Sequence, residues 1–126
     1  MEREITSHKV NGLNEALRIT TTDEPGAGGA HHEYVIAGVQ GPLDHHPIKT
    51  TEIHFQNGPI AEAGYNGISG EALLAVVVDR LECFQKGQYA CRENALALTK
   101  IQEAMHWLHH RTRERVARGV EGTSTK

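Results

Sequence analysis

Leu81-Glu82-Cys83-Phe84-Gln85-Lys86-Gly87-Gln88-Tyr89-Ala90-Cys91-Arg92-Glu93-Asn94-Ala95-Leu96-Ala97-Leu98 joins two stretches of helical periodicity through a short turn, and its reading decides the fold. Upstream of it, Leu73, Val77, Leu81 and Phe84 recur at helical spacing, so a helix from about Gly70 to Lys86 carries a narrow apolar stripe. Ser69 is suited to cap its start, and Gly87 to end it from the C′ position. Downstream, Leu98, Ile101, Met105 and Leu108 form the seam of a second helix. That helix begins near Tyr89 to Arg92 and runs to about Arg118, where Gly119 stops it. Two helices joined by so short a link lie antiparallel.

Working outward toward the N-terminus, the period changes from helix to strand. Leu17 to Thr21 alternates and is rich in β-branched residues, His32 to Gly38 reads as a second strand, and Lys49 to Asn57 as a third. In the third, Thr51, Ile53 and Phe55 share one face and Glu52, His54 and Gln56 the other. Asp23 to Gly29 is a glycine-rich loop, Gln40 to Pro47 a turn, and Gly58-Pro59 and Asn66-Gly67 punctuate the passage to the helices. Residues 1–16 give weak signals and read as a lead-in. The fold class is α+β: a small N-terminal antiparallel β-sheet followed by a long C-terminal antiparallel helical hairpin. A chain of 126 residues is short for two independent cores. It is therefore read as a single domain, 1–126, with lead-in 1–16, β region 17–68, helical hairpin 69–119 and tail 120–126.

Charge narrows the function. The net charge is −3, yet residues 100–126 hold six basic and three acidic groups, leaving −6 on the remainder. A local basic patch on an acidic chain suits a compact anion and disfavours a surface that coats duplex DNA, so no nucleic acid polymer is expected as partner. Arg111, Arg115 and Arg118 fall within about 60° of one another on a helical wheel, whereas Arg113 points away. Guanidinium forks pair with phosphate oxygens bidentately; the plainer alternative is a solvated basic helix end that complements the helix dipole. The longest apolar run, Ala72 to Val78, is seven residues, far short of a membrane span. With no apolar leader in residues 1–15, a reducing compartment and free thiols at Cys83 and Cys91 are the default, and a hairpin disulfide the alternative.

Motifs for chemistry are sparse. Nine histidines include the pairs His31-His32, His45-His46 and His109-His110, but adjacent residues diverge on a strand or a helix, and no zinc-specific spacing occurs. His106 and His110 share a helix face without an evident third ligand. No serine sits in a nucleophile elbow, and Gly26 to Gly29 lacks both the Lys-Ser/Thr of a phosphate loop and the context of a dinucleotide site. No catalytic residue, metal or cofactor is expected. A different pattern is distributed over the hairpin: Phe84 in the last turn of the first helix, Gln85, Gln88, Arg92 and Asn94 about the turn, and arginines down the second helix. An aromatic to stack on a base, amides for its edge and guanidiniums for phosphate together describe a nucleotide pocket. Phe84 could equally close the apolar stripe, and Asn94 could be an exposed helix residue.

Several segments carry a family resemblance. They are Phe55-Gln56-Asn57-Gly58-Pro59-Ile60, Asn66-Gly67-Ile68, Leu81 to Gln85, Cys91 to Leu96 and Arg118-Gly119-Val120-Glu121-Gly122-Thr123, with Asp23 to Ala30, His32 and Tyr34 upstream. Together they resemble the phage Thoeris anti-defence protein one family, which shares its helical hairpin with phage anti-CBASS protein two. The resemblance covers the chain from about residue 17 and is most specific from Phe84 to Gly122. It implies a non-enzymatic sponge in the host cell cytoplasm that sequesters cyclic ADP-ribose isomers, such as glycocyclic ADP-ribose, without cleaving them. Cyclic dinucleotides or trinucleotides of CBASS are implied as further ligands, and a hexamer as the assembly; the 17-residue spacing of Asn94 and Arg111, about 25 Å of helix, itself calls for a homodimer if both ends are to meet one ligand. The resemblance assigns ligand roles to Phe84 (adenine stacking), Asn94, Arg111 and Arg115; Arg92 and Arg118 are added from charge and helical phase. The alternatives are a metal-dependent cyclic nucleotide phosphodiesterase and a small phage DNA-binding regulator.

Overall fold

The structure, a computed structural model, describes residues 2–39 and 48–126. The turn read over Gln40 to Pro47, with the His45-His46 pair, lies outside the described residues. Two compact units follow one another along the chain, Met1–Ile68 and Ser69–Lys126.

The first unit is built on a four-stranded antiparallel meander of β1 (Arg3–Ile5), β2 (Leu17–Thr21), β3 (Glu33–Gly38) and β4 (Thr51–His54), in that spatial order. Ile5 pairs with Ile19, Ile19 with Ile36, and Tyr34 with Ile53, so these side chains share one apolar face. Tyr34 meets Phe55 edge-on, with ring centroids 5.7 Å apart. The other face is polar: Arg18 lies 3.8 Å from Glu4, and His54 lies 3.3 Å from Glu33 and 3.7 Å from Glu52. β2 occupies the span read from its alternation.

Two details depart from the sequence reading. The lead-in contains β1 and a one-turn helix, α1 (Gly12–Glu15), capped by the Asn11 side chain. Three residues carry no periodicity of their own. β1 exists because β2 offers an edge, and because fully buried Thr21 accepts the Arg3 N–H through Oγ1 at 2.9 Å. The last strand also ends at His54, short of Asn57. Beyond it the chain makes a parallel bridge between Phe55 and Ile68, and the Gln56 amide is spent on the Gly58 and Gly64 carbonyls at 3.1 and 2.7 Å. This loop, which contains the short helix α2 (Ile60–Ala63), is closed by Asn66. Its Oδ1 accepts from Asn57 N at 2.7 Å, and its Nδ2 donates to Asn57 O at 2.8 Å. Gly67 passes so near the Phe55 backbone that a Cβ there would lie 2.4 Å from the Phe55 carbonyl carbon.

The second unit is the hairpin of α3 (Gly70–Gln85) and α4 (Arg92–Ala117), packed against each other. Ser69 caps α3, its Oγ accepting Ala72 N–H at 3.1 Å. The inward stripe of α3 is Leu73, Leu74, Val78, Leu81 and Phe84, all half-buried, whereas Val77 of the predicted stripe is 43% exposed. On α4, Leu98, Ile101 and Met105 are half-buried and Leu108 lies at the exposed margin. The two helix ends differ. Gly87 follows the α3 C-cap but is not among the positive-φ glycines, so the expected left-handed stop is not formed there. Gly119 does adopt it, with φ 73°. With Gly119 N–H to Val116 O and Val120 N–H to Arg115 O, both at 3.0 Å, it completes a Schellman closure.

Candidate functional site

The sequence-predicted site residues fall into two groups at opposite ends of α4. At the turn end are Phe84, Arg92 and Asn94. Phe84 occupies the last turn of α3, half-buried, and the Arg80 guanidinium one turn earlier lies 4.9 Å from its ring centroid. This cation–π contact was missed in the sequence, although the i,i+4 spacing of Arg80 and Phe84 is its signal. Asn94 is half-buried and lies in the first turn of α4; Arg92, the first residue of that helix, is exposed. Cys91 is the N-cap, with its Sγ accepting Asn94 N–H at 3.4 Å, and both Cys83 and Cys91 are free thiols. The amide of Gln85, read as available to a base edge, is committed to the protein: Oε1 accepts Cys91 N–H at 3.1 Å and Nε2 donates to Cys91 O at 3.2 Å.

At the far end, Arg111 and Arg113 are exposed. The outward stripe read from helical phase does not form as drawn, because Arg115 is 7% exposed and turned into the C-terminal tail. Its Nη1 donates to Thr125 O at 2.5 Å, its Nη2 to Val120 O and Thr123 O at 2.9 and 3.0 Å, and its Nε lies 3.3 Å from the Glu121 carboxylate. Arg118 is exposed, with one Nη donating to Lys126 O. The physical reason is the Schellman closure: by reversing the chain at Gly119 it brings tail carbonyls over the preceding turn, and a guanidinium satisfies several of them at once. A helical wheel gives the direction of a Cβ and is blind to a chain that folds back over it.

Among the described residues no group of three or more His, Cys, Asp or Glu side chains is placed to hold a metal ion. His106, Trp107 and His110 make edge contacts, with centroid distances of 5.4 and 5.8 Å, and Trp107 is 62% exposed. A cleft of about 370 Å³ in the first unit is lined by Asp23, His32, Glu33, His54, Asn57 and Asn66 among others. Its polar groups are largely spent on the fold. Asp23 accepts the His32 and Glu33 backbone N–H groups at 2.9 and 3.2 Å, His32 Nε2 donates to Ala27 O at 2.9 Å, and Asn57 Oδ1 accepts Ala27 N–H at 3.2 Å. Burial pushes the Asp23 carboxyl up, but those two backbone donors and the His31 imidazole outweigh it and hold the group below its usual range.

A model of the "Acb2/Tad1, hairpin domain" matches residues 47–113, more than half of the chain and nearly all of both long helices. The chain belongs to the Acb2/Tad1 hairpin family. A relative named Thoeris anti-defense 1, from Bacillus phage SBSphiJ7, is 51% identical over 78 residues. That alignment takes in 62% of this chain and 55% of the relative, so the chain matches little more than half of the relative's length. The hairpin that defines the family holds Phe84, Asn94 and Arg111, with Arg115 and Arg118 just beyond the matched segment.

Proposed function

We propose that this protein is an anti-defence sponge: it binds a cyclic ADP-ribose isomer in the host cytoplasm, performs no chemistry on it and so withholds the signal from a Thoeris effector. The observation that carries the reading is that half-buried Phe84 in the last turn of α3, with half-buried Asn94 and exposed Arg92 in the first turn of α4, stands at one end of a hairpin that presents Arg111 toward the other. A ring face for a base, an amide for its edge and guanidiniums for a pyrophosphate supply recognition without a nucleophile or an acid–base pair. Family membership and the name of the Bacillus phage relative support it. Exposed Arg118 adds to the proposed anion end, and buried Arg115 serves it by holding the tail in place.

One chain cannot assemble that pocket. Asn94 and Arg111 lie on one unbroken helix, about 25 Å apart along its axis, whereas a cyclic ADP-ribose is on the order of 10 Å across. The turn end of one copy must therefore meet the basic end of another, which a twofold axis accomplishes with two equivalent pockets. Exposure supports the second copy. Among the described residues no hydrophobic side chain is fully buried, and Val76, Leu96, Trp107 and Val116 of the hairpin are 67, 46, 62 and 61% exposed. A homodimer is the minimal assembly, and a hexamer built from three such dimers its extension.

The test is recovery of ligand. Protein incubated with glycocyclic ADP-ribose and then heat-denatured should release it intact; linear ADP-ribose or AMP in the supernatant would refute the sponge in favour of a phosphodiesterase. Competition by CBASS cyclic dinucleotides and trinucleotides reads whether they share the pocket. Mixing Arg111→Ala with Phe84→Ala chains should restore one pocket per exchanged dimer, and persistent loss despite proven exchange would place the pocket within one chain.

A further inference from the structure

From the hairpin turn we infer that Gln85 is the positioning residue of the nucleotide site, a clamp that sets Asn94 against Phe84; the ligand half of this inference rests on the function proposed above. Residues 86–91 connect the helices, and Gly87 does not lock the turn through a left-handed conformation. Among the described residues, the hydrogen bonds that tie α3 to Cys91 both come from the Gln85 side chain: Cys91 N–H to Oε1 at 3.1 Å and Nε2 to Cys91 O at 3.2 Å. Cys91 is extended, with φ −151° and ψ 163°, so its N–H and C=O face the carboxamide much as they would face a neighbouring strand. A primary carboxamide supplies donor and acceptor together; a carboxylate keeps the acceptor and sets a negative charge against the Cys91 carbonyl.

The clamp then runs on into the site. Cys91 caps α4 and its Sγ takes the Asn94 N–H at 3.4 Å. Phe84 precedes Gln85 on α3. The path Phe84–Gln85–Cys91–Asn94 therefore fixes the start of α4, and with it the Asn94 amide, relative to the ring that stacks the base. Thiols are weak acceptors, so the cap alone holds this geometry poorly and the carboxamide supplies the constraint. Below the turn, α3 and α4 pack through their half-buried apolar stripes. Gln85 thus acts through Asn94, not by touching the ligand, and sequence composition alone could not separate these roles because both use an amide.

Two measurements test this on the full chain. Amide hydrogen exchange without ligand should show Cys91 and Asn94 protected in the native protein and at least about ten-fold faster in Gln85→Ala, while Ile101 and Met105 are unchanged. Titration with glycocyclic ADP-ribose should show Gln85→Ala and Gln85→Glu each weakening binding about ten-fold, as for other supporting contacts. In an Asn94→Ala background the same Gln85→Ala change should cost less than about two-fold, whereas in an Arg111→Ala background it should keep its full effect. Unchanged exchange at Cys91 overturns the inference whatever the titration shows, and equal losses in both backgrounds overturn the positioning role. If the native protein binds no glycocyclic ADP-ribose while Gln85→Ala still frees Cys91, the ligand reading fails and the clamp stands.

Discussion

The sheet unit and the helical hairpin use their polar side chains in opposite ways. In the first, Asp23, His32, Gln56, Asn57 and Asn66 are spent on main-chain groups of the same unit, and the cleft between them is a seam of the scaffold. In the second, Phe84, Arg92 and Asn94 sit at the turn end and exposed Arg111 toward the far end of α4. The difference separates a region that satisfies itself from one that presents groups to something else. Gln85 and Arg115 are the informative exceptions, hairpin residues used as the sheet unit uses its own.

The sharpest way to break this comparison is at Gly67. A Cβ would approach Phe55 C, Phe55 O and Gln56 N to 2.4–2.6 Å, and these are backbone atoms that cannot swing aside. Gly67→Ala should destabilise the sheet unit by about 3 kcal/mol or more in chemical denaturation. A neutral result would mean that the loop is not pinned.

Arg115 and Arg111 form the next pair. Arg115→Ala removes donors to three tail carbonyls and a charge partner of Glu121, so about 2 kcal/mol of stability should be lost, with the amides of residues 120–125 exchanging freely. Arg111→Ala leaves no cavity and should change stability by less than about 0.5 kcal/mol, yet weaken ligand binding by about 2 kcal/mol. Equal stability losses in the two variants would erase the distinction between spent and presented arginines.

The smallest effect belongs to Asp23. Because its folded-state carboxyl is held below the usual range, its contribution is fully present above the ordinary carboxylate pKa and is lost as pH falls through the lower folded value. Asp23→Asn should therefore lower the melting temperature at neutral pH, and the gap from the native protein should narrow on acidification below about pH 4. A gap independent of pH would assign the effect to the loss of acceptor geometry alone.

Much of the fold was legible because it is periodic. The strand at Leu17–Thr21, the Ser69 cap and the long α4 seam through Leu98, Ile101 and Met105 follow from spacing and local propensity, which act over a few residues. Residues Arg3–Ile5 and the end of the last strand at His54 were not legible, since the first needs β2 as a partner and the second is set by Ile68 returning beside Phe55. For the site, residue order alone places particular chemical groups at each end of one helix, and the rise per residue puts the two ends too far apart for one small ligand. Which of those groups are already occupied depends on how the chain folds back on itself. Gln85 grips Cys91, and Arg115 holds the tail. In both cases the deciding partner is a backbone brought near by a chain reversal, and side-chain identity does not encode where a reversal returns.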